Sequence, residues 1–220
     1  MSEPTPTPTE ALQRQVRTWR DRRKLSAQAL ADRVAELGGS LSRVAISKIE
    51  NGDRGVSLDE WLQLAHALAV PPPLLFLDLE RGEHVQIAPS VVLHPWLAWE
   101  WVIGEEPPVM TDRSVTRVQE FTQSRRAIQL YRRERTAAEA VHRAQSAVWG
   151  AEYAGDEPAI RASRTQHVDA LRELAACLDE MVENDIHPPA KPREWVDTMR
   201  SLKLLRYQVP VMKESDRGDG

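Results

Sequence analysis

Between Ser42 and Gly52 the chain reads SRVAISKIENG, and its hydrogen-bond donors include the Arg43 guanidinium, the Ser47 hydroxyl and the Lys48 ammonium. Val44 and Ala45 lie among them and are small. Donors set beside small apolar groups suit the major groove of a duplex, where base edges present acceptors and thymine presents a methyl. Arg43 is the candidate for a guanine edge, Ser47 or Lys48 for a base or adjacent phosphate, and Val44 and Ala45 for close apolar contact.

Such residues act together only if a helix holds them. Val44, Ala45, Ile46 and Ile49 give an apolar side and leave Arg43, Ser47 and Lys48 for the other. Ser42 can accept from a backbone N–H two or three residues on, and Asn51-Gly52 tolerates the left-handed conformation that ends a helix. The spacing therefore predicts a short helix, packed on one side and open on the other.

Other elements must pack behind it. Leu12, Val16 and Trp19 predict a first helix near 10–24, with Arg14, Arg17, Arg22, Arg23 and Lys24 around it as a solvated face or as phosphate contacts. Residues 1–9 alternate Pro and Thr and predict a mobile tail. Ser26 caps a second helix, SAQALADRVAELG, whose Leu30, Val34 and Leu37 form a stripe and which Gly38-Gly39 ends. After the loop NGDRGVS, which contains Arg54, Ser57 and Glu60 form a capping box for SLDEWLQLAHALAV. Pro71 to Pro73 stop that helix, and LLFLDL closes a five-helix domain over 10–79.

The run from Arg20 through LSAQALA, ISKIENG, SLDEWLQLAHAL and LLFL resembles the phage-repressor-like XRE helix-turn-helix family, in its actinobacterial type. The resemblance implies a lambda-repressor-like fold. It also implies that the third helix is the recognition helix and that the start of the second grips a phosphate, through Ser26 and Gln28. It further implies that Arg20 pairs with Glu50, tying the first helix to the end of the third. Two positions depart from the family pattern. Ala27 stands where Gln commonly follows the capping serine, and about five extra residues lengthen the turn between Ala31 and Ile46.

The formal net charge of −4 conceals two basic stretches. Residues 10–54 hold ten Lys or Arg against six Asp or Glu, and residues 113–143 hold eight Arg against three Glu. An approaching phosphate backbone feels such local charge within a Debye length of about 10 Å. The single cysteine, Cys177, excludes an internal disulfide and is expected to be a packing residue. No membrane span, leader, metal-ligand set, cofactor motif or catalytic triad is legible, so a cytoplasmic, non-enzymatic protein without cofactor or metal is expected.

Residues 80–110 read as a linker ending in a cluster of Trp96, Trp99 and Trp101. Val85, Ile87, Val91 and Leu93 alternate as a short hairpin would. From Thr111 to Ala154 one long helical pattern runs through Val115, Val118, Phe121, Ile128, Tyr131, Val141, Ala144 and Val148. Gly155-Asp156 breaks it, and a second pattern from Ile160 to Ile186 predicts an antiparallel hairpin. A short helix near 192–206 offers Trp195, Met199, Leu202 and Leu205, and residues 207–220 read as a flexible tail. The domain over 111–206 is expected to pair with a second copy in coiled-coil fashion, or to receive a signal. Its arginines at 125, 126, 132, 133 and 135 are open to three readings: solvated face, DNA-backbone contact or acidic protein partner.

The expectation is thus an all-α regulator that binds double-stranded DNA as a homodimer, most simply as a repressor. Its candidate contacts are Ser26, Gln28, Ser42, Arg43, Val44, Ala45, Ser47, Lys48 and Arg54. Two alternatives stand beside it. One is an antitoxin-like or adaptor protein that holds a partner through the helical hairpin, and the other is a regulator that senses a small molecule at the tryptophan cluster.

Overall fold

The computed structural model describes residues 4–107 and 115–213. Among the described residues the fold is all-α apart from one small hairpin, and the chain divides into two compact units, residues 1–118 and 119–220.

In the N-terminal unit, α1 (Pro8–Arg22), α2 (Ala27–Glu36), α3 (Arg43–Glu50) and α4 (Leu58–Leu68) surround one core, and a 3₁₀ turn at Pro72–Leu75 follows. Each helix begins at a hydroxyl. Ser26, Ser42 and Ser57 accept from the backbone N–H three residues on, and Glu60 returns the bond at Ser57. α1 starts earlier than its apolar stripe suggests. Thr7 and Glu10 form a second capping box with Pro8 in the first turn, and the Pro6 carbonyl accepts from Gln86 N. Residues 4–9 are therefore built into the unit rather than forming a mobile tail; residues 1–3 lie outside the described residues.

The helices end alike. In α2 the N–H of Gly39 bonds the Val34 carbonyl and that of Gly38 bonds Ala35, the paired closure that needs a left-handed residue. α1, α3 and α4 use the same closure at Lys24, Gly52 and Ala69, as do the helices Glu157–Glu183 and Arg193–Ser201 at Asp185 and Lys203. Four of these five carry a side chain in a conformation that favours glycine. Ala69→Gly is expected to raise stability by about 0.5 to 1 kcal/mol, which the thermal midpoint will report. A midpoint that stays or falls would show that Ala69 is unstrained.

Residues 80–107 are more than a linker. β1 (Val85–Ala88) pairs antiparallel with β2 (Val91–Leu93), and α5 (Pro95–Val102) packs on the hairpin. Leu77, Val85, Leu93 and Ala98 form a second small core, with Trp99 against it. Trp96 faces solvent and Trp101 is half-buried, so the three tryptophans share a helix but not one burial environment.

The long helical pattern is two helices, α6 (Val115–Ser124) and α7 (Arg126–Ala154); its predicted start at 111–114 lies outside the described residues. α7 runs antiparallel to α8 (Glu157–Glu183). Arg164 bonds Glu152 near the turn, Arg133 bonds Glu180 farther down, and the Cys177 thiol donates to the Leu130 carbonyl. Gly155, left-handed, and Asp156, which caps α8, make the turn. α9 (Arg193–Ser201) covers the hairpin with Trp195, Val196 and Met199, against Val141, Leu171, Leu174 and Leu178.

The segment after α9 is fastened, which corrects the reading of a loose tail for residues 207–213. The buried Asp179 carboxylate accepts from the backbone N–H groups of Arg206 and Tyr207, and Lys191 bridges Val211 in parallel. Residues 214–220 lie outside the described residues. Buried Cys177 belongs to this unit's interior, where burial pushes its thiol above the usual range. Among the described residues no helix is long and apolar enough to cross a membrane.

Candidate nucleic-acid interface

α3 is eight residues long, too short to persist in water by itself. Its position comes from both sides. Ile46 and Ile49 are fully buried in the core, and Ser42 fixes the first turn at Ala45 N. At the far end the Arg20 guanidinium grips Glu50 with two bonds, Nε to Oε1 at 2.6 Å and Nη2 to Oε2 at 2.9 Å. Arg20 also donates to the Leu25 carbonyl, and its bond to Glu50 raises its already high pKa. The two side chains are only 13% and 7% exposed. A bidentate pair so placed sets direction and distance as well as attraction.

The turn before α3 is long but not loose. Leu41 is buried, and a Cβ on Gly39 would lie 2.6 Å from Val34 Cγ1 and collide with Gln63 of α4. Glycine at 39 thus lets the turn press on the core. The extra residues are anchored at two points, which sequence spacing alone does not reveal.

Outward, α3 presents Arg43, Val44 and Lys48. Val44 is 63% exposed, and neither cation makes a hydrogen bond or ion pair among the described residues. Ser47 is half-buried with its hydroxyl unengaged. Ala45 differs from expectation. It is half-buried and packs against the core, because the residue one place before Ile46 lies on the flank of the buried stripe.

The remaining expected contacts are placed less favourably. Ser26 and Ser42 spend an oxygen lone pair on capping, which leaves each hydroxyl proton free to donate. Gln28 is exposed, but its amide donates to Asp32 Oδ1 at 2.8 Å, one turn along the same helix. Arg54 is half-buried and pairs with Glu60 at the start of α4. Burial pushes the Glu60 carboxyl upward, yet the Ser57 N–H and Arg54 outweigh it and hold the group below its usual range.

The arginines around α1 also have structural work. Arg23 donates to the carbonyls of Leu68 and Ala69, and Arg33 to that of Ala67, so both close the end of α4. Arg22 pairs with Glu80 and stacks over Trp19, and Arg14 pairs with Glu83. Arg17 and Lys24 are left exposed and unpaired among the described residues. The free cations on the first three helices thus narrow to Arg17, Lys24, Arg43 and Lys48.

Helix α2, a turn, and a third helix whose outer face is free of internal partners make a defined arrangement. Residues 11–76 match the helix-turn-helix domain family. The match ends at the 3₁₀ turn and leaves the hairpin, α5 and the C-terminal unit outside it. It supports a DNA-binding regulator of helix-turn-helix type. No curated protein and no solved structure matches the chain.

Among the described residues no group of three His, Cys, Asp or Glu side chains is placed to hold a metal. His84 and His94 meet edge to face at 5.4 Å between ring centroids, and His94 Nδ1 accepts from Trp96 N, so it caps α5.

Proposed function

We propose that the protein is a sequence-specific transcription regulator of the XRE type, acting as a repressor, and that two copies place their α3 helices in successive major grooves. Half-sites would then lie about 34 Å apart on one face of the duplex. The observation that supports this reading is the outer face of α3. Arg43 and Lys48 have no partner there among the described residues, Val44 is exposed between them, and the helix itself is held by Ile46, Ile49 and the Arg20–Glu50 pair. Donors that satisfy nothing inside the protein, on a rigid element, are pre-organised for an external acceptor.

Dimerisation supplies affinity that one small module lacks. The C-terminal unit is where we place it, since Ile128, Tyr131, Trp149 and Tyr153 of α7 remain exposed after α8 and α9 have packed. Repression follows most simply, because a protein seated on a promoter excludes other binding there.

The test is selection of bound sequences from random duplex DNA by the full chain. An enriched inverted repeat one helical turn apart is expected, and salt-sensitive binding with no enriched sequence would overturn the reading. With that site in hand, Arg43→Ala is expected to lose about 1 to 3 kcal/mol of specific binding and to relax choice at one base position. An equal loss on specific and random duplexes would instead make Arg43 a phosphate contact.

A further inference from the structure

The outer face of α7 carries apolar side chains at both of its ends. Leu130, Glu134 and Val141 mark the buried side of the helix, and steps of three, four and seven residues place Ile128, Tyr131, Trp149 and Tyr153 together on the side opposite. All four are exposed, Trp149 at 59% and Tyr153 at 97%. Tyr131 fixes its hydroxyl on the His187 carbonyl and leaves much of its ring in solvent. Gly150, next to Trp149, has no described atom within 4 Å of the position a Cβ would take. A glycine inside a helix lowers its stability relative to alanine, and nothing within the described chain uses the room it leaves.

Between these ends the same stripe is polar. Arg135, Glu139, His142 and Ser146 continue the three- and four-residue steps, and all are exposed. Arg135 makes no hydrogen bond or ion pair among the described residues, and Glu139 meets Arg143 of the next turn at a loose 3.9 Å.

We infer that two copies of the chain pair through this stripe, α7 against α7 and antiparallel. The inference rests on the reading that the C-terminal unit dimerises, and it adds the surface, the direction and the register. Along the stripe the order is apolar, polar, apolar, so a copy turned end for end presents the same order. With Ile128 set opposite Tyr153 of the second copy, Tyr131 falls beside that copy's Trp149 and Gly150, Arg135 opposite its Ser146, and Glu139 opposite its His142 with its Arg143 adjacent. Each contact then occurs twice, as a two-fold axis requires. The polar middle is complementary in this direction: Glu139 meets basic groups, and Arg135 meets a hydroxyl that accepts. Parallel alignment would instead set Arg135 on Arg135 and Glu139 on Glu139, and like charges so opposed repel. The apolar ends leave water together, and Gly150 gives the ring of Tyr131 its clearance.

Sedimentation of the full chain over a concentration series, beside its Trp149→Ser/Tyr153→Ser form, tests the surface. The parent is expected at twice the monomer mass. The variant is expected to dissociate at least about a hundredfold more readily, the scale for removing two aromatic anchors. Both side chains stand in solvent in the single chain, so its helicity by circular dichroism is expected to be unchanged. Direction is tested separately, with Arg135→Cys and Ser146→Cys forms of the full chain and a bifunctional thiol reagent of short reach; the native Cys177 is buried. A cross-linked dimer is expected from the mixture and not from either form alone, because in the antiparallel register like positions stand roughly 16 Å apart along the helix axis. Cross-linking of each form with itself overturns the antiparallel proposal. A dimer that survives the serine substitutions and gives no mixed cross-link has its interface elsewhere, which overturns this proposal and leaves the dimeric reading standing. A parent chain that stays monomeric overturns both.

Discussion

Arg20→Met is expected to destabilise the N-terminal unit by about 3 to 5 kcal/mol, the cost of leaving a buried carboxylate without its partner. Glu50, 7% exposed, sits at the end of α3 and accepts two bonds from Arg20. Urea unfolding of the full chain followed by tryptophan emission reads the loss, since Trp19 and Trp61 both pack against this core. Arg20→Met/Glu50→Leu is expected to recover most of it, because replacing a whole buried pair by apolar groups of similar size is often close to neutral. The double variant also separates two roles. Stability regained together with weaker binding to the selected duplex would mean that the pair aims α3, and binding regained in full would mean that it only fills space. A single-variant loss below about 1 kcal/mol, the range of exposed pairs, would show that the pair is solvated.

The second large effect lies in the other unit. Lys191→Met is expected to cost about 3 to 5 kcal/mol there, for the same physical reason. The Lys191 ammonium meets Glu134 of α7 with both side chains less than a tenth exposed, and its backbone holds Val211 through bonds to Pro210 and Met212. Methionine keeps the length and apolar stem and removes only the charge. Because α7 and α8 are long, circular dichroism at 222 nm follows their melting directly, and the midpoint is expected to fall by several degrees. Glu134→Leu on the same background is expected to restore it. A midpoint unmoved by Lys191→Met would mean that water reaches Glu134.

The caps were the most legible part of the chain. Ser26, Ser42, Ser57 with Glu60, and Gly52 each act within four residues of themselves, so local sequence contains the whole interaction. The same signature was present at Thr7-Pro8-Thr9-Glu10, where alternating Pro and Thr masked a capping box that starts α1 two residues before its predicted position. Ile46 and Ile49 announced the buried side of α3 by their period. The fate of individual polar groups was far less legible. Gln28 turns to Asp32, Arg54 to Glu60, and Arg23 and Arg33 to the end of α4. Each choice is a competition among partners that only the folded chain brings together. The break between α6 and α7 carries no glycine or proline to mark it. The docking of residues 206–212 depends on Asp179 and Lys191, which are distant in sequence.

The bond from Gln86 N to the Pro6 carbonyl bears on how this protein avoids sticking to itself. A two-stranded sheet has two outer edges, one on each strand, and an open edge recruits strands from other molecules and seeds aggregation. Here the segment laid along β1 is Pro4-Thr5-Pro6, in which two of three residues have no N–H to offer an incoming strand. At Gln86 the β1 edge is covered by a piece of chain that is a poor template for a further strand. Association through the β1 edge is thereby discouraged.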